Sequence, residues 1–181
     1  MPAVEAARNL RIGFIGAGQL AVPLAMSLAR AGYLVIGAAS RSHASAEKLA
    51  GGIADARAFS TAQAVVDESD LVVIAVGDDA IAPVTRSVAW QQRHSVIHCS
   101  GATEVSALAA AAEQGASIGG FHPLQTFTNA KAAMQTLPGC TVGIEAEEGQ
   151  LLNLLWAMAQ ALGCNPIRLP AGARALYHAS G

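Results

Sequence analysis

The stretch that decides the fold is residues 11–21, Arg-Ile-Gly-Phe-Ile-Gly-Ala-Gly-Gln-Leu-Ala, where a short apolar strand meets a helix through small residues. Gly16 suits a tight turn, Gly18 allows close approach of a ligand to the backbone, and Ala21 allows the helix to pack closely on the sheet. A helix that begins here presents free N–H groups and the positive end of its dipole. The stretch therefore predicts a dinucleotide-phosphate site, held by Gly16, Gly18, Gln19 and Leu20.

A Gly-x-Gly-x-x-Ala pattern alone also fits a plain glycine-rich turn, so its surroundings decide between the two interpretations. An apolar helical pattern follows it at Leu20, Leu24 and Leu28, and a second apolar run begins after Gly32. Strand and helix patterns then alternate along the chain, as a doubly wound α/β domain requires. We expect a Rossmann-like, doubly wound and mainly parallel sheet over residues 8–170.

The later elements follow from runs of apolar residues between turn signals. The predicted strands are 33–39, 58–59, 71–76, 95–98, 117–121, 141–144 and 165–169, and the predicted helices are 45–50, 61–66, 81–90, 103–114 and 151–162. Residues 71–76 are apolar throughout, which is typical of a central parallel strand buried on both faces. Pro83 and Glu104 are expected in the first turns of their helices, and His122-Pro123 is expected to open a loop.

Composition limits the function classes. The chain has 181 residues, of which 52% are hydrophobic and 13% charged, enough for one full domain and the start of a second. Its net charge of −2 gives no footprint for nucleic acid, and no apolar stretch reaches membrane length. The first residues lack the apolar core of a secretory signal. We expect a cytoplasmic protein with a small-molecule substrate and with neither nucleic acid nor membrane as partner.

The three cysteines also bear on the expected cytoplasmic location. Cys99, Cys140 and Cys164 are odd in number, far apart in the sequence and form no Cys-x-x-Cys pair. This pattern favours reduced, structural thiols in a cytoplasmic protein.

The end of the second predicted strand indicates which dinucleotide binds. An NAD site usually has an acidic residue there for the ribose 2′-OH, whereas an NADP site has arginine and small hydroxyl residues for the 2′-phosphate. This chain has Ser40-Arg41-Ser42 and no acid. Arg41 can grip a phosphate as a fork and the serines can donate to it. The alternative is a solvated loop cation, but with the glycines upstream the pattern favours NADP (NADPH).

Several blocks of sequence together resemble a known family. They are Gly16-Ala17-Gly18, residues 39–42, 70–76 and 78–81, His98-Cys99-Ser100-Gly101-Ala102, and Phe121-His122-Pro123-Leu124-Gln125-Thr126-Phe127. The chain resembles a bacterial family of predicted oxidoreductases in which a Rossmann-like NADP-binding domain precedes a C-terminal helical domain of uncharacterised function. That family is similar to pyrroline-5-carboxylate reductase, to deazaflavin-dependent NADP reductases and to the 6-phosphogluconate dehydrogenase-like group. The resemblance covers about Leu10 to His178, and the two histidine-containing blocks are its most specific parts.

The resemblance implies that a helical domain supplies dimerisation and much of the substrate pocket. Tyr177-His178 would begin its first long helix, so residues 171–181 are expected to be the first turns of an incomplete domain. The helical pattern at 173–179 ends without a stop signal, and both a truncated and a naturally short chain fit it. A homodimer is expected where the helical domain is present. Gly77 stands where the family more often has proline, and the missing helices leave independent catalysis open.

Position in the predicted sheet indicates the chemistry. Ligands of open parallel sheets bind beyond the carboxyl ends of the strands, where Gly77-Asp78, Ser100-Gly101 and His122-Pro123 fall. We expect Val76, Gly77, Asp78 and Ser100 to line the cofactor. Hydride transfer to a carbonyl or imine needs a proton donor, and we expect His122 and Ser100 as catalytic residues, with His98 as a further possible donor.

These residues also have structural interpretations. His98 fits a core histidine bonded to backbone, and His122 fits a turn residue ahead of Pro123. Asp78 fits a residue at the start of a helix, and Cys99 fits a small buried hydrophobe. His98, Cys99 and His122 lack the spacing of a metal site, so we expect none.

The sequence thus predicts an NADP-dependent oxidoreductase, or its cofactor-binding domain, that transfers a hydride between NADP(H) and a small carbonyl or imine substrate. The alternative from another class is a non-catalytic nucleotide-binding or sensor module with the same fold, which would bind NADPH without oxidising it. A third possibility is a site that binds no nucleotide, because a fold alone does not imply a function.

Overall fold

A computed structural model describes residues 9–125 and 137–174. The strands are β1 (Ile12–Ile15), β2 (Val35–Ala39), β3 (Arg57–Phe59), β4 (Leu71–Ile74), β5 (Ser95–His98), β6 (Ser117–Pro123), β7 (Thr141–Ala146) and β8 (Asn165–Arg168). The helices are α1 (Ala21–Arg30), α2 (His43–Ala50), α3 (Ala62–Glu68), α4 (Asp78–Arg86), α5 (Ala109–Ala112) and α6 (Gln150–Ala161), and a 3₁₀ turn (Val105–Leu108) precedes α5.

The eight strands form one sheet in the order β3-β2-β1-β4-β5-β6-β7-β8. All pairs from β3 to β6 are parallel, β7 is antiparallel to β6, and β8 is parallel to β7. The carboxyl ends of β1 to β6 therefore meet at one edge of the sheet, which we call the carboxyl edge. Because β7 runs in the opposite direction, β7 and β8 begin at this edge. The predicted doubly wound, mainly parallel sheet is confirmed.

Helices cover both faces of the sheet because the central strands are apolar on both. Leu71 and Val73 of β4 point into the core under α1 and α6, and Val72 and Ile74 point into the core under α3 and α4. All four side chains are buried. The prediction of a central parallel strand in this stretch is confirmed, although the strand ends at Ile74.

The helix predicted over 81–90 is displaced towards the N-terminus. It begins at Asp78 and ends at Arg86, so Pro83 lies in its second turn and not its first. At the end of the helix the Ser87 hydroxyl donates to the Val84 carbonyl. Trp90 then folds back, with its indole N–H donating to the Thr85 carbonyl at 2.8 Å.

The helix predicted over 103–114 is shorter than expected. Glu104 is extended (φ −68°, ψ 152°), and its carboxylate accepts from the Gly172 N–H at 3.2 Å, so it does not stand in a first helical turn. Only the 3₁₀ turn and the four residues of α5 follow. At the other end Gly115, with φ +92°, turns the chain towards β6.

The loop expected at His122-Pro123 is also wrong, because both residues belong to β6. They pair with Gly143 and Val142 of the antiparallel β7. The predicted strand ends at Phe121 because the sequence near it does not show that β7 runs back antiparallel to β6. Tyr177 and His178 and most of the helix predicted over 173–179 lie outside the described residues. Within residues 9–125 and 137–174 no helix is long and apolar enough to cross a membrane.

Candidate functional site

A cavity of about 970 Å³ opens at the carboxyl edge of the sheet, beyond β1, β2 and β4. Its wall brings together eight of the predicted cofactor residues: Gly16, Gly18, Ser40, Arg41, Ser42, Val76, Gly77 and Asp78. This is the volume of a cavity that can enclose a sizeable organic ligand. The order of the six parallel strands places it where dinucleotides bind in doubly wound sheets.

The two glycines of the first turn meet different constraints. Gly16 has φ +102°, and a Cβ there would overlap the Ala75 carbonyl oxygen, so the fold itself requires glycine. Gly18 has no protein atom within 4 Å of the position its Cβ would take. The space beside Gly18 belongs to the cavity, and the backbone is open to a ligand there.

The start of α1 is uncapped on the side of this turn. Leu20, the residue before the helix, makes no side-chain capping bond, and the first turn of α1 holds no acidic residue. Gln19 is exposed and Leu20 packs partly against the core. Neither side chain lines the cavity, so a ligand would meet the backbone N–H groups of this turn.

The end of β2 supplies the cation of the cavity wall. Arg41 is exposed and has no hydrogen bond or ion pair to any residue between 9–125 or 137–174. The Ser42 hydroxyl oxygen accepts the Ser45 N–H at 3.4 Å and caps α2, which leaves its own proton free to donate. Ser40 is half-buried beside them. A guanidinium and two hydroxyls thus lie together at one end of the cavity.

The end of β4 supplies two carboxylates on the other side of β1. Asp78 and Asp79 occupy the first turn of α4, where the helix dipole favours negative charge, and both line the cavity. Gly77 precedes them with open space at its Cβ position. The helix-start interpretation of Asp78 agrees with its place in α4, and its position in the wall also leaves it in reach of a ligand.

Ser100 lies beyond β5, outside the wall of the main cavity. Its hydroxyl oxygen and its backbone N–H both form hydrogen bonds. Its hydroxyl oxygen accepts the N–H groups of Ala102 (3.2 Å) and Thr103 (2.9 Å), and its own N–H donates to His98 Nδ1 at 3.2 Å. The hydroxyl proton is not used by these bonds. The Ser100 side chain is therefore held in one orientation with a proton to donate.

His98 is fully buried at the end of β5. Burial, together with the charge of Arg174, lowers the pKa of His98 to about 4. Its Nδ1 accepts from Ser100, so the ring is neutral near physiological pH. The interpretation of His98 as a core histidine bonded to backbone agrees with these observations, and a proton donor role does not.

His122 is half-buried on β6, on the same face of the sheet as His98. Its Nδ1 lies 2.9 Å from the Cys99 carbonyl oxygen. Because a carbonyl can only accept, Nδ1 carries the proton, and a proton exchanged with a ligand would be carried by Nε2. The geometry is compatible with the predicted catalytic role of His122.

Sequence reasoning missed two residues of this region, Arg174 and Glu145. Arg174 is fully buried, with Nε 2.6 Å from Glu145 Oε2 and Nη1 2.5 Å from the Ser100 carbonyl oxygen. A Cβ at Gly120 would overlap Nη2, so only glycine makes room for the guanidinium. No local pattern marks this arginine, since its partners are 29 and 74 residues away in sequence.

Two further observations concern cysteine and metal chemistry. Cys99 is buried, and burial raises the pKa of its thiol to about 12, which suits a small hydrophobe better than a nucleophile. Across residues 9–125 and 137–174, no group of three or more His, Cys, Asp or Glu side chains could hold a metal ion.

Solved structures with the same fold cover almost the whole chain. A Bacteroides fragilis protein named "putative NADP oxidoreductase" matches with a TM-score of 0.79 and 23% identity over 96% of this chain and 66% of its own. A reductive aminase from Aspergillus terreus, in complex with NADPH and ethyl-5-oxohexanoate, matches at 0.74 and 16% over 95% and 59%. Prephenate dehydrogenase from A. aeolicus, with hydroxyphenyl propionate and NAD+, matches at 0.74 and 14% over 91% and 61%. The chain thus spans about three fifths to two thirds of these proteins.

Sequence comparison agrees with the fold. No curated protein sequence matches the chain. The family model described as Rossmann-like domain matches residues 3–123, about two thirds of the chain. The matched part runs from before β1 to the end of β6 and contains the whole cavity wall. The chain belongs to the Rossmann-like domain family.

Proposed function

We propose that this chain is the cofactor-binding part of an NADP-dependent oxidoreductase that transfers a hydride between NADP(H) and a small carbonyl or imine substrate. The observation that carries the proposal is the cavity itself, which joins an open glycine turn at Gly18 to an exposed cation at Arg41. A dinucleotide has phosphate groups that suit both places.

The preference for NADP rests on the end of β2. An exposed guanidinium between two serines, with no ion pair to any described residue, suits a dianionic phosphate, because arginine donates as a planar fork and hydroxyls complete the set of donors. An acid that would accept from a free ribose 2′-OH is missing from Ser40-Arg41-Ser42. The acids of the wall, Asp78 and Asp79, lie beyond β4 and not beside Arg41 in the sheet order.

The structural neighbours support the class of reaction. The choice between NADP and NAD rests on the residues of this chain. The names of the Aspergillus terreus neighbours mention NADPH with a keto ester and NADPH4 with a cyclic imine, whereas the prephenate dehydrogenase holds NAD+. Their identities to this chain are 16% or lower. A small carbonyl or imine substrate is therefore a proposal from likeness of fold and from the polar groups beyond β5 and β6.

His122 and Ser100 are the groups proposed to act on the substrate. When bound, NADPH supplies a hydride to an electrophilic carbon, and the oxygen or nitrogen left behind needs a proton. Nε2 of a protonated His122 can deliver it, and the Ser100 hydroxyl can donate a hydrogen bond to the same atom. Arg174 acts as a positioning residue, because its bond to the Ser100 carbonyl fixes the turn that carries the hydroxyl.

A second function also fits the fold, because the chain spans only 66% of the Bacteroides fragilis protein and 59% of the Aspergillus terreus reductive aminase. It is a nucleotide-binding module that binds NADPH and catalyses nothing. Turnover separates the two functions, because both predict binding and only the first predicts consumption of the cofactor.

The test is transfer of deuterium from NADPH labelled at C4 to a panel of small aldehydes, ketones and cyclic imines, followed by mass spectrometry of the products. We expect label in at least one product, and a loss of about 100-fold or more in turnover for His122→Asn with unchanged affinity for NADPH. Binding of NADPH without label in any product would show that this chain alone does not transfer a hydride, and would favour the binding module. Equal turnover by His122→Asn would reject the catalytic role of His122.

A further inference from the structure

Two of the three cysteines are neighbours in space. The sulfur atoms of Cys140 and Cys164 lie 3.6 Å apart, although 24 residues separate them in the sequence. The spacing of the cysteines in the sequence, with no Cys-x-x-Cys pattern, does not indicate this contact. Sequence spacing concealed the pair because each cysteine precedes a different strand, Cys140 before β7 and Cys164 before β8.

The backbone holds the two cysteines side by side. The register of β7 and β8 pairs Thr141 with Asn165, the residues that follow the two cysteines. The Asn165 N–H donates to the Cys140 carbonyl at 2.8 Å, and the Gly139 N–H donates to the Gly163 carbonyl at 2.8 Å. Neighbouring strands are about 4.8 Å apart, within the range of roughly 4.4–6.8 Å between Cα atoms that a disulfide spans. With the sulfur atoms already 3.6 Å apart, a small rotation of the side chains brings them towards bonding distance.

The two thiols have unequal surroundings. Cys140 is half-buried, and its hydrogen-bonding contact with the Cys164 sulfur lowers the pKa of its thiol. Cys164 is buried, lies 3.1 Å from the Leu137 carbonyl oxygen, and has its thiol pKa raised. Since the thiolate is the nucleophile, Cys140 is the thiol that reacts first and Cys164 the one that resolves the product.

We propose that Cys140 and Cys164 form an oxidation site that hydrogen peroxide converts to an intramolecular disulfide. The Cys140 thiolate attacks one peroxide oxygen, the O–O bond breaks, and the hydroxide released takes up a proton to leave as water. The Cys164 sulfur then attacks the sulfur of the resulting sulfenic acid, the S–OH bond breaks and a second water leaves. In sum, two thiols and one hydrogen peroxide give one disulfide and two water molecules.

The site lies at the carboxyl edge, where β7 and β8 begin. The Leu124 N–H, directly after β6, donates to the carbonyl of Thr141, the residue after Cys140. The dithiol is thus one strand away from the end of β6, which carries His122. Its chemistry does not depend on the proposed function, because neither cysteine lines the dinucleotide cavity.

The test treats the full chain with an equimolar amount of hydrogen peroxide and identifies the disulfide by digestion without reductant. Trypsin leaves both cysteines in one peptide, because residues 132–167 contain no lysine or arginine. A glutamyl protease cuts between them at Glu145, Glu147 and Glu148 and so separates cross-linked from free peptides. We expect the linked pair of peptides, which reductant separates again.

Matched variants make the result specific. Cys99→Ser is expected to form the same linked peptides, because that thiol is buried and its pKa is raised. Cys164→Ser is expected to stop at a sulfenic acid on Cys140, which dimedone traps. Oxidation of Cys140 in the unaltered chain to the sulfinic acid without any linked peptide would overturn the proposal. Reaction of Cys99 faster than Cys140 would overturn it as well.

Discussion

Arg174 and Glu145 form an ion pair largely shielded from water, with Nε and Oε2 2.6 Å apart and side-chain exposures of 0% and 12%. The pair joins Arg174 to the C-terminal end of β7, and the second bond of Arg174, to the Ser100 carbonyl, joins it to the turn after β5. A single guanidinium therefore joins the end of β7 to the region proposed to hold the substrate.

Replacement of Arg174 by methionine is expected to destabilise the protein by about 3–5 kcal/mol, because the change leaves the Glu145 charge buried without its partner. Unfolding in urea measures this loss. Arg168→Met is the control, since it removes a pair with Glu148 whose members are 51% and 81% exposed. Such an exposed pair contributes about 0–1 kcal/mol. Equal losses for the two variants would contradict the buried position of Arg174.

Alanine substitutions at the two glycines of the first turn are expected to affect different properties, stability at Gly16 and ligand binding at Gly18. Gly16→Ala is expected to lower the free energy of unfolding by about 1–3 kcal/mol, because it strains a positive φ and meets the Ala75 carbonyl oxygen. Gly18→Ala meets no protein atom and is expected to leave stability within about 0.5 kcal/mol.

The same Gly18→Ala variant is expected to weaken NADPH binding, because its methyl group enters the space left for the pyrophosphate. Calorimetric titration measures the affinity, and urea unfolding of the same sample shows that the fold is intact. Unchanged NADPH affinity in stable Gly18→Ala would place the phosphates elsewhere.

His98 should make stability fall on acidification. Its folded pKa of about 4 lies below the ordinary value of 6.5, so the unfolded chain binds the proton more readily. The stability that the neutral His98 ring contributes is complete above the unfolded pKa. It is lost as the pH falls from there towards 4, and the loss in the free energy of unfolding reaches roughly 3 kcal/mol. His98→Gln is expected to flatten this part of the profile, and His43→Gln, at an exposed position, is expected to keep it. A His98 ring that titrates near 6.5 by NMR would contradict the account.

Local patterns were enough for the first half of the fold. The glycine turn, the second strand and the apolar run at 71–74 each carry their own signal, because the period of burial and the turn residues lie within a few positions of one another. The wall of the cavity at the carboxyl edge followed from the same signals, since the carboxyl ends of parallel strands share one edge.

The remaining features depend on partners far away in the sequence. The pairing of His122 with Gly143 extends β6 only because β7 returns antiparallel to it. The Arg174–Glu145 pair and the contact between Cys140 and Cys164 likewise join separate elements. No pattern within a short window indicates such contacts, so the residues beyond β5 and β6 were predicted less completely than the cavity.

The most direct test of the central claim is a calorimetric titration of the chain with NADPH and with NADH, compared with Arg41→Ala. Arg86→Ala is the control, because this arginine is exposed in the last turn of α4 and lies outside the cavity wall. The account predicts tighter binding of NADPH than of NADH, and a loss of about 10- to 100-fold in NADPH affinity on Arg41→Ala alone, the magnitude of charge-assisted hydrogen bonds to a phosphate. Equal affinities for the two nucleotides, or an Arg41→Ala variant that still prefers NADPH, would contradict it.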